Sequence, residues 1–158
     1  MKYELEKTLW TGADYEQMGW HDARVHGISF GKNYQLLLDI DYIFEWVHPK
    51  EGETFFKFWI APCTLIFENV YKLAFDLELS VPSEMYIDGI VRSKESLTPN
   101  GVLIEYDWQI DFDGGGITFN GTDFNQHVRC PPQLTEVQEL DIISRGGVSF
   151  STVYSSQS

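Results

Sequence analysis

The sequence predicts a mainly β fold, an antiparallel β-sandwich or open barrel of about eight or nine strands with one short helix near the C-terminus, and three observations carry that reading. In the stretch from Tyr34 to Trp46 every even position is large and apolar: Tyr34, Leu36, Leu38, Ile40, Tyr42, Phe44 and Trp46. The odd positions are Gln35, Leu37, Asp39, Asp41, Ile43 and Glu45, so a strand here would bury one face and turn a mostly acidic face to water. A helix would smear the same residues around its circumference. The alternation recurs at Leu73, Phe75, Leu77, Leu79 and Val81, and again at Val102, Ile104, Tyr106, Trp108, Ile110 and Phe112. Finally, the alternating segments are short and punctuated by glycine, proline and asparagine, which preset or tolerate turn geometry.

Residues 1 to 19 carry little pattern beyond one helical turn at Tyr15 to Met18 capped by Asp14, and the first twenty or so are expected to be peripheral. A strand is predicted from Asp22 to Phe30, with a bulge at Gly27 where the pattern changes phase. Gly31-Lys32-Asn33 turns it into the long strand as a hairpin. After the polar turn His48 to Glu53, the segment Thr54 to Ile60 is apolar on both faces, is expected to lie deep, and ends at Pro62. A further strand, Thr64 to Glu68, precedes the alternating segment Leu73 to Val81.

Met85 to Arg92 begins as a strand with a phase break at Gly89, and Ser93 to Thr98 reads as a polar link. Pro99-Asn100-Gly101 is a turn into the strand Val102 to Phe112, and Asp113 to Gly116 turns back to Ile117 and Phe119. Arg129-Cys130-Pro131-Pro132 is extended, because proline disfavours helix in the residue before it. The predicted helix is Leu134 to Ser144, with Thr135 as cap and Gln138 in the capping-box position. Gly146 and Gly147 would stop it, Val148 to Tyr154 would form a closing strand, and the polar tail Ser155 to Ser158 is expected to fray. With neither repeat nor linker, residues 1 to 158 read as a single β-rich domain.

A chain of 158 residues can bury a core without disulfides or metal. It carries 24 Asp and Glu against 11 Lys and Arg, a formal net charge of −13. Such a chain repels phosphate backbones and loses the counterion-release term of non-specific nucleic-acid binding, so nucleic acid and anionic membranes are excluded as partners. The charge keeps the protein soluble, and it would also attract a basic protein. Acids interrupt the segment Met1 to Lys7 where a signal peptide would be basic and then apolar, and no later run reaches spanning length, so a cytoplasmic location is expected. There Cys63 and Cys130 read as packed thiols.

Nothing in the sequence forms a catalytic signature. His21 and His26 are five apart, which is not a metal-pair spacing, and His127 with Cys130 lacks a second ligand pair, so no metal and no cofactor are expected. No serine occupies a nucleophile elbow, and Gly114 to Gly116 is not followed by Lys-Ser or Lys-Thr. Asp39 with Asp41 stands in the same relation as Asp76 with Glu78 and Glu105 with Asp107. Three equivalent pairs opposite apolar faces read as the wet side of a sheet rather than as acid and base. Asp39, Asp41, Glu45, Asp76, Glu78, Glu105, Asp107 and Asp111 therefore form the candidate protein-binding surface, one acidic face if the strands share a sheet. The alternative is a small hydrolase or a sugar- or metabolite-binding protein with a carboxylate-lined aromatic cleft near Asp39 and Asp41.

Trp20-His21-Asp22-Ala23-Arg24-Val25, opening the first strand, and Leu65-Ile66-Phe67-Glu68-Asn69-Val70 together resemble small uncharacterised bacterial β-rich proteins with a His-Asp-Ala-x-Val opening. Some of these are similar to immunity proteins of polymorphic toxin systems. The resemblance implies a non-enzymatic protein that neutralises a basic partner, and it transfers no catalytic residue.

Overall fold

In the computed structural model, which describes residues 2–156, the chain forms β1 (Leu9–Thr11), β2 (Arg24–Gly31), β3 (Gln35–Val47), β4 (Lys57–Phe67), β5 (Tyr71–Leu77), β6 (Ile87–Leu97), β7 (Ile104–Phe112), β8 (Gly115–Gly121), β9 (Phe124–Val128) and β10 (Gln133–Thr135). One sheet has the order β1-β9-β4-β3-β2, with β10 also on β4, and the other has the order β5-β8-β7-β6. Every pairing is antiparallel. The sheets pack face to face, as a sandwich does.

Alternation puts the core between them. Leu36, Leu38, Ile40 and Tyr42 of β3 and Ala61, Cys63, Leu65 and Phe67 of β4 point inward, meeting Trp108, Ile110, Ile117 and Phe119 of the opposite sheet. The long strand keeps its even residues inside only in its middle, for Tyr34 at one end is 78% exposed, and at the other a register shift between Ile43 and Glu45 turns Trp46 to the outer side, its ring 5.0 Å from that of Phe58. Two short crossovers join the sheets and bond to each other: Glu68 N–H donates to Asp123 O at 3.0 Å, and Thr122 N–H donates to Glu68 O at 3.0 Å.

Pro62 does not end a strand. It sits mid-β4 opposite Asp41, and β4 absorbs both the predicted deep segment and the strand after it, while Phe55 and Phe56 remain in an exposed loop before it. The missing proline N–H is tolerated because β9 and β10 share that edge of β4 end to end, with the break between them beside Pro62. Only its carbonyl is needed there, accepting from Arg129 N–H at 2.9 Å.

The later part of the first twenty residues, from Leu9 to Trp20, is integral rather than peripheral. Trp10 and Trp20 are buried in the core, and β1 pairs with β9. The turn predicted at Tyr15 is a 3-10 turn, Gly12–Gln17, whose cap is Thr11; Asp14 is its third residue and accepts back from Thr11 N–H at 2.9 Å. The polar link predicted at Ser93 to Thr98 is instead the second half of β6, which passes two irregularities in its pairing with β7. Phe124–Val128 forms a strand that the apolar pattern did not announce.

The predicted helix Leu134 to Ser144 is absent. Its start pairs with β4 as β10, and the remainder is a chain of turns. The side chains that follow are drawn to different neighbours: Gln138 donates to Asp22 at 2.8 Å, Glu139 bonds both Arg24 and the Tyr86 hydroxyl, and Leu140 is buried against Ile43, Phe58 and Ile60. A helix would carry these groups round its axis and lose those contacts. The predicted closing strand Val148 to Tyr154 is likewise irregular. Of the tail expected to fray, Ser155 N–H donates to Arg129 O at 2.8 Å, while Gln157 and Ser158 lie outside the described residues. No helix among the described residues is long and apolar enough to cross a membrane.

Candidate protein-binding surface

The irregular C-terminal segment lies across the outer face of the β1-β9-β4-β3-β2 sheet, and this covering divides the eight candidate carboxylates. Asp39 and Asp41 point outward from β3 as the alternation requires, yet both are 0% exposed. They are corrected from surface groups to the centre of a buried ionic cluster. Arg145 donates to Asp39 through Nη2 at 2.6 Å and Nη1 at 2.8 Å, and to Asp41 through Nε at 3.0 Å. Arg129 adds Nη2 to Asp39 Oδ1 at 2.7 Å and Nη1 to Thr64 Oγ1 at 2.9 Å. The amides of Ser149 and Leu140 donate to Asp39 at 2.9 Å and to Asp41 at 2.8 Å.

A bulge completes the cluster. The β2–β3 register shifts between Val25 and Gly27, so His26 and Gly27 both fall on the outer side, and His26 Nε2 stands 2.7 Å from Asp41 Oδ2. Gly27 leaves room for the covering segment, since a Cβ there would meet Val148 at 2.9 Å. Two carboxylates face two guanidiniums, and Asp39 accepts four hydrogen bonds and Asp41 three. That nearly exhausts their acceptor sites, which leaves the pair neither the access nor the lone pairs for acid and base work or for a ligand.

Burial alone would raise the Asp39 carboxyl; the Arg145 hydrogen bond, the charges of Arg129 and Arg145 and the Ser149 amide outweigh it and hold the group below the usual carboxylate range. The sign follows. A carboxyl depressed on folding adds stability that is complete above the unfolded value near 3.8 and is lost as pH falls through the lower folded value. Acid titration followed by amide exchange is therefore expected to release the segment from Leu140 to Ser151 as pH drops below the ordinary carboxylate range; a segment equally protected at pH 7 and below pH 3 would contradict this.

The other six carboxylates belong elsewhere. Glu45 is exposed near the start of the β3–β4 loop, beside a cleft of about 430 Å³ that Phe55, Trp59, His48, Glu51 and Glu53 help to line. Glu78 is exposed just past β5. Asp76, Asp107 and Asp111 share the outer face of the β5-β8-β7-β6 sheet, which nothing covers among the described residues. There the rows read Asn120, Asp107 and Ser93; then Ala74, Thr118, Gln109 and Val91; then Asp76, Gly116, Asp111 and Gly89. Gly116 stands between Asp76 and Asp111 in the last row, and Asp111 Oδ1 accepts from Gln109 Nε2. Asp107 accepts from Asn120 and stands 3.7 Å from Lys94 Nζ, and with Lys72 and Lys94 it lines a shallow cavity of about 340 Å³.

Glu105, at the start of this face, is corrected from surface group to buried group, being 5% exposed. The Tyr71 hydroxyl donates to its Oε1 at 2.8 Å, and that hydrogen bond, ahead of burial, raises the Tyr71 hydroxyl above its ordinary value.

One sheet thus has its outer face sealed by the chain's own C-terminal segment, and the other presents a bare, polar, carboxylate-bearing surface. Arg129, Arg145 and His26 are the cluster residues that sequence reasoning missed. No protein-family model, curated protein or solved structure matches the chain.

Proposed function

We propose that the chain is a non-enzymatic protein-binding domain that docks a basic partner on the bare outer face of the β5-β8-β7-β6 sheet, in the manner of an immunity protein neutralising a cationic toxin. The observation that carries this is the inequality of the two outer faces. One is closed by Leu140 to Ser151, whereas the other holds Asp76, Asp107 and Asp111, with Glu78 beyond one end and Glu105 at the other, against Lys72 and Lys94. A net charge of −13 would steer a cation toward it from a distance. The fixed rows of a sheet would then set register.

The test is capture of a partner from the native host by the wild type and by a D76N/D107N/D111N variant at low and high salt. The expected result is a basic protein, released by salt, and bound at least about tenfold more weakly by the variant. Equal capture by both proteins would remove the face from consideration.

A second reading rests on the cleft beside Glu45, whose aromatic and carboxylate lining suits a sugar or small metabolite. Saturable binding from an oligosaccharide panel, lost in Trp59→Ala and kept in D76N/D107N/D111N, would favour it over protein docking.

A further inference from the structure

Carboxylates taken out of water normally have both oxygens bonded, because an unpaired buried charge forfeits its hydration without replacement. Asp39 and Asp41 obey this rule fully. Glu105 does not: its Oε1 accepts from Tyr71, but its Oε2 is buried with no hydrogen-bond partner among the described residues. Glu105 is a residue of β7 that points to the bare face, two positions before Asp107.

The surroundings are those of a contact surface. Tyr71 and Leu103 line a cavity of about 290 Å³ whose rim includes Pro99 and Asn100 from the β6–β7 turn. Leu103, two residues before Glu105, is 49% exposed and left uncovered, whereas Ile104 and its pairing partner Leu97 face the other side of the sheet. A buried acceptor beside exposed apolar surface is how interfaces seat a charged anchor, since apolar contact excludes water and strengthens the central pair. A cation is required by charge, and a planar one with parallel N–H groups suits a carboxylate whose second oxygen is open.

We propose that Glu105 anchors an arginine side chain of the basic partner, its guanidinium bonding Oε2 while a flanking residue of the partner covers Leu103. This deepens the proposed docking face and rests on it. Tyr71 acts as the door: it belongs to an edge strand and is 37% exposed, so its ring can shift outward to admit the guanidinium while its hydroxyl keeps Oε1. The rival occupant is the chain's own Lys72, whose Nζ lies 5.9 Å from the Tyr71 ring centroid.

The experiment is an NMR titration of the intact chain with the probe peptide N-acetyl-Leu-Arg-Leu-amide and with its citrulline counterpart, which keeps the shape and lacks the charge. The arginine peptide is expected to move the Glu105 carboxyl carbon and the Tyr71 and Leu103 signals saturably. The citrulline peptide is expected to bind at least about tenfold more weakly, and Glu105→Gln is expected to lose the same factor against the arginine peptide. Should Glu105→Gln fold poorly, Tyr71→Phe serves instead, because it frees Oε1 and is expected to bind the arginine peptide at least as tightly as the wild type.

Equal response to the two peptides overturns the proposal. So does a Glu105 carboxyl signal in the free protein that shifts on Lys72→Gln, which would mean that Lys72 already fills the place. Failure of this titration while D76N/D107N/D111N still abolishes partner capture removes the anchor alone; failure of that variant to alter capture removes the face.

Discussion

Replacing Asp39 by alanine is expected to cost about 3–5 kcal/mol of folding stability, because it strips the acceptor from two buried guanidiniums and an amide at once. Arg145 is fully buried at its side chain and would keep only Asp41 and two backbone carbonyls. Native domains have only about 5–15 kcal/mol in total, so the variant stands near the limit of folding. The loss should be visible as a lower midpoint in urea and as early proteolysis after Leu140, since the covering segment loses its pin at Ser149. Asp39→Asn combined with Arg145→Met is expected to cost less than the two single changes added, because the remaining charge is no longer stranded. A loss below about 1 kcal/mol for Asp39→Ala would mean that the cluster is exposed to water.

Truncating Trp108 to alanine is the other change expected to approach this size, at about 3–5 kcal/mol. Trp108 is 1% exposed and packs its ring against Phe67 at 5.1 Å, Phe124 at 5.9 Å and Tyr15 at 6.1 Å between centroids. It also donates from Nε1 to Gly121 O at 3.2 Å. Its removal leaves a void between the sheets and an unpaired carbonyl, and neither sheet can collapse to fill it without moving the other. Equilibrium unfolding should show the lower midpoint together with loss of the near-ultraviolet aromatic signal. Trp46→Ala, by contrast, removes a side chain on the outer side of its sheet and should cost far less.

Much of the architecture is legible in the residues because period two is a strong signal when one face is wet. The strand expected over Val102 to Phe112 is found as β7 from Ile104 onward, with Trp108, Ile110 and Phe112 inward but Val102 and Ile104 exposed, and the phase change at Gly27 is a bulge as the pattern suggests. The covered face was misread because alternation says which residues share a side and not what lies over that side. Two signals for the cover are present all the same. Asp39 and Asp41 are bracketed on their own face by Leu37 and Ile43, and the facing strand carries Phe58, Ile60 and Ile66 outward as well as Ala61, Leu65 and Phe67 inward. A strand that is apolar on both sides needs two covers, and the chain after Pro132 is the material for the second.

The helix expected over Leu134 to Ser144 failed for the same reason. Local capping signals at Thr135 and Gln138 compete with distant partners at Asp22, Arg24 and Asp41, and the distant partners prevail. Arginines at 129 and 145 are too far along the chain from Asp39 for any spacing rule to join them. The fold brings them together through the β9–β10 break beside Pro62 and the turn that ends at Gly147.

The unequal fate of the carboxylates is the claim on which the docking reading stands, and carbodiimide labelling of the free protein with glycine ethyl ester, read residue by residue by mass spectrometry, tests it most directly. Asp76, Asp107, Asp111, Glu45 and Glu78 are expected to label readily, while Asp39 and Asp41 stay unmodified until the chain unfolds. Labelling of Asp39 or Asp41 at the rate of Asp76, or protection of Asp76 and Asp111 in the free chain, would contradict it.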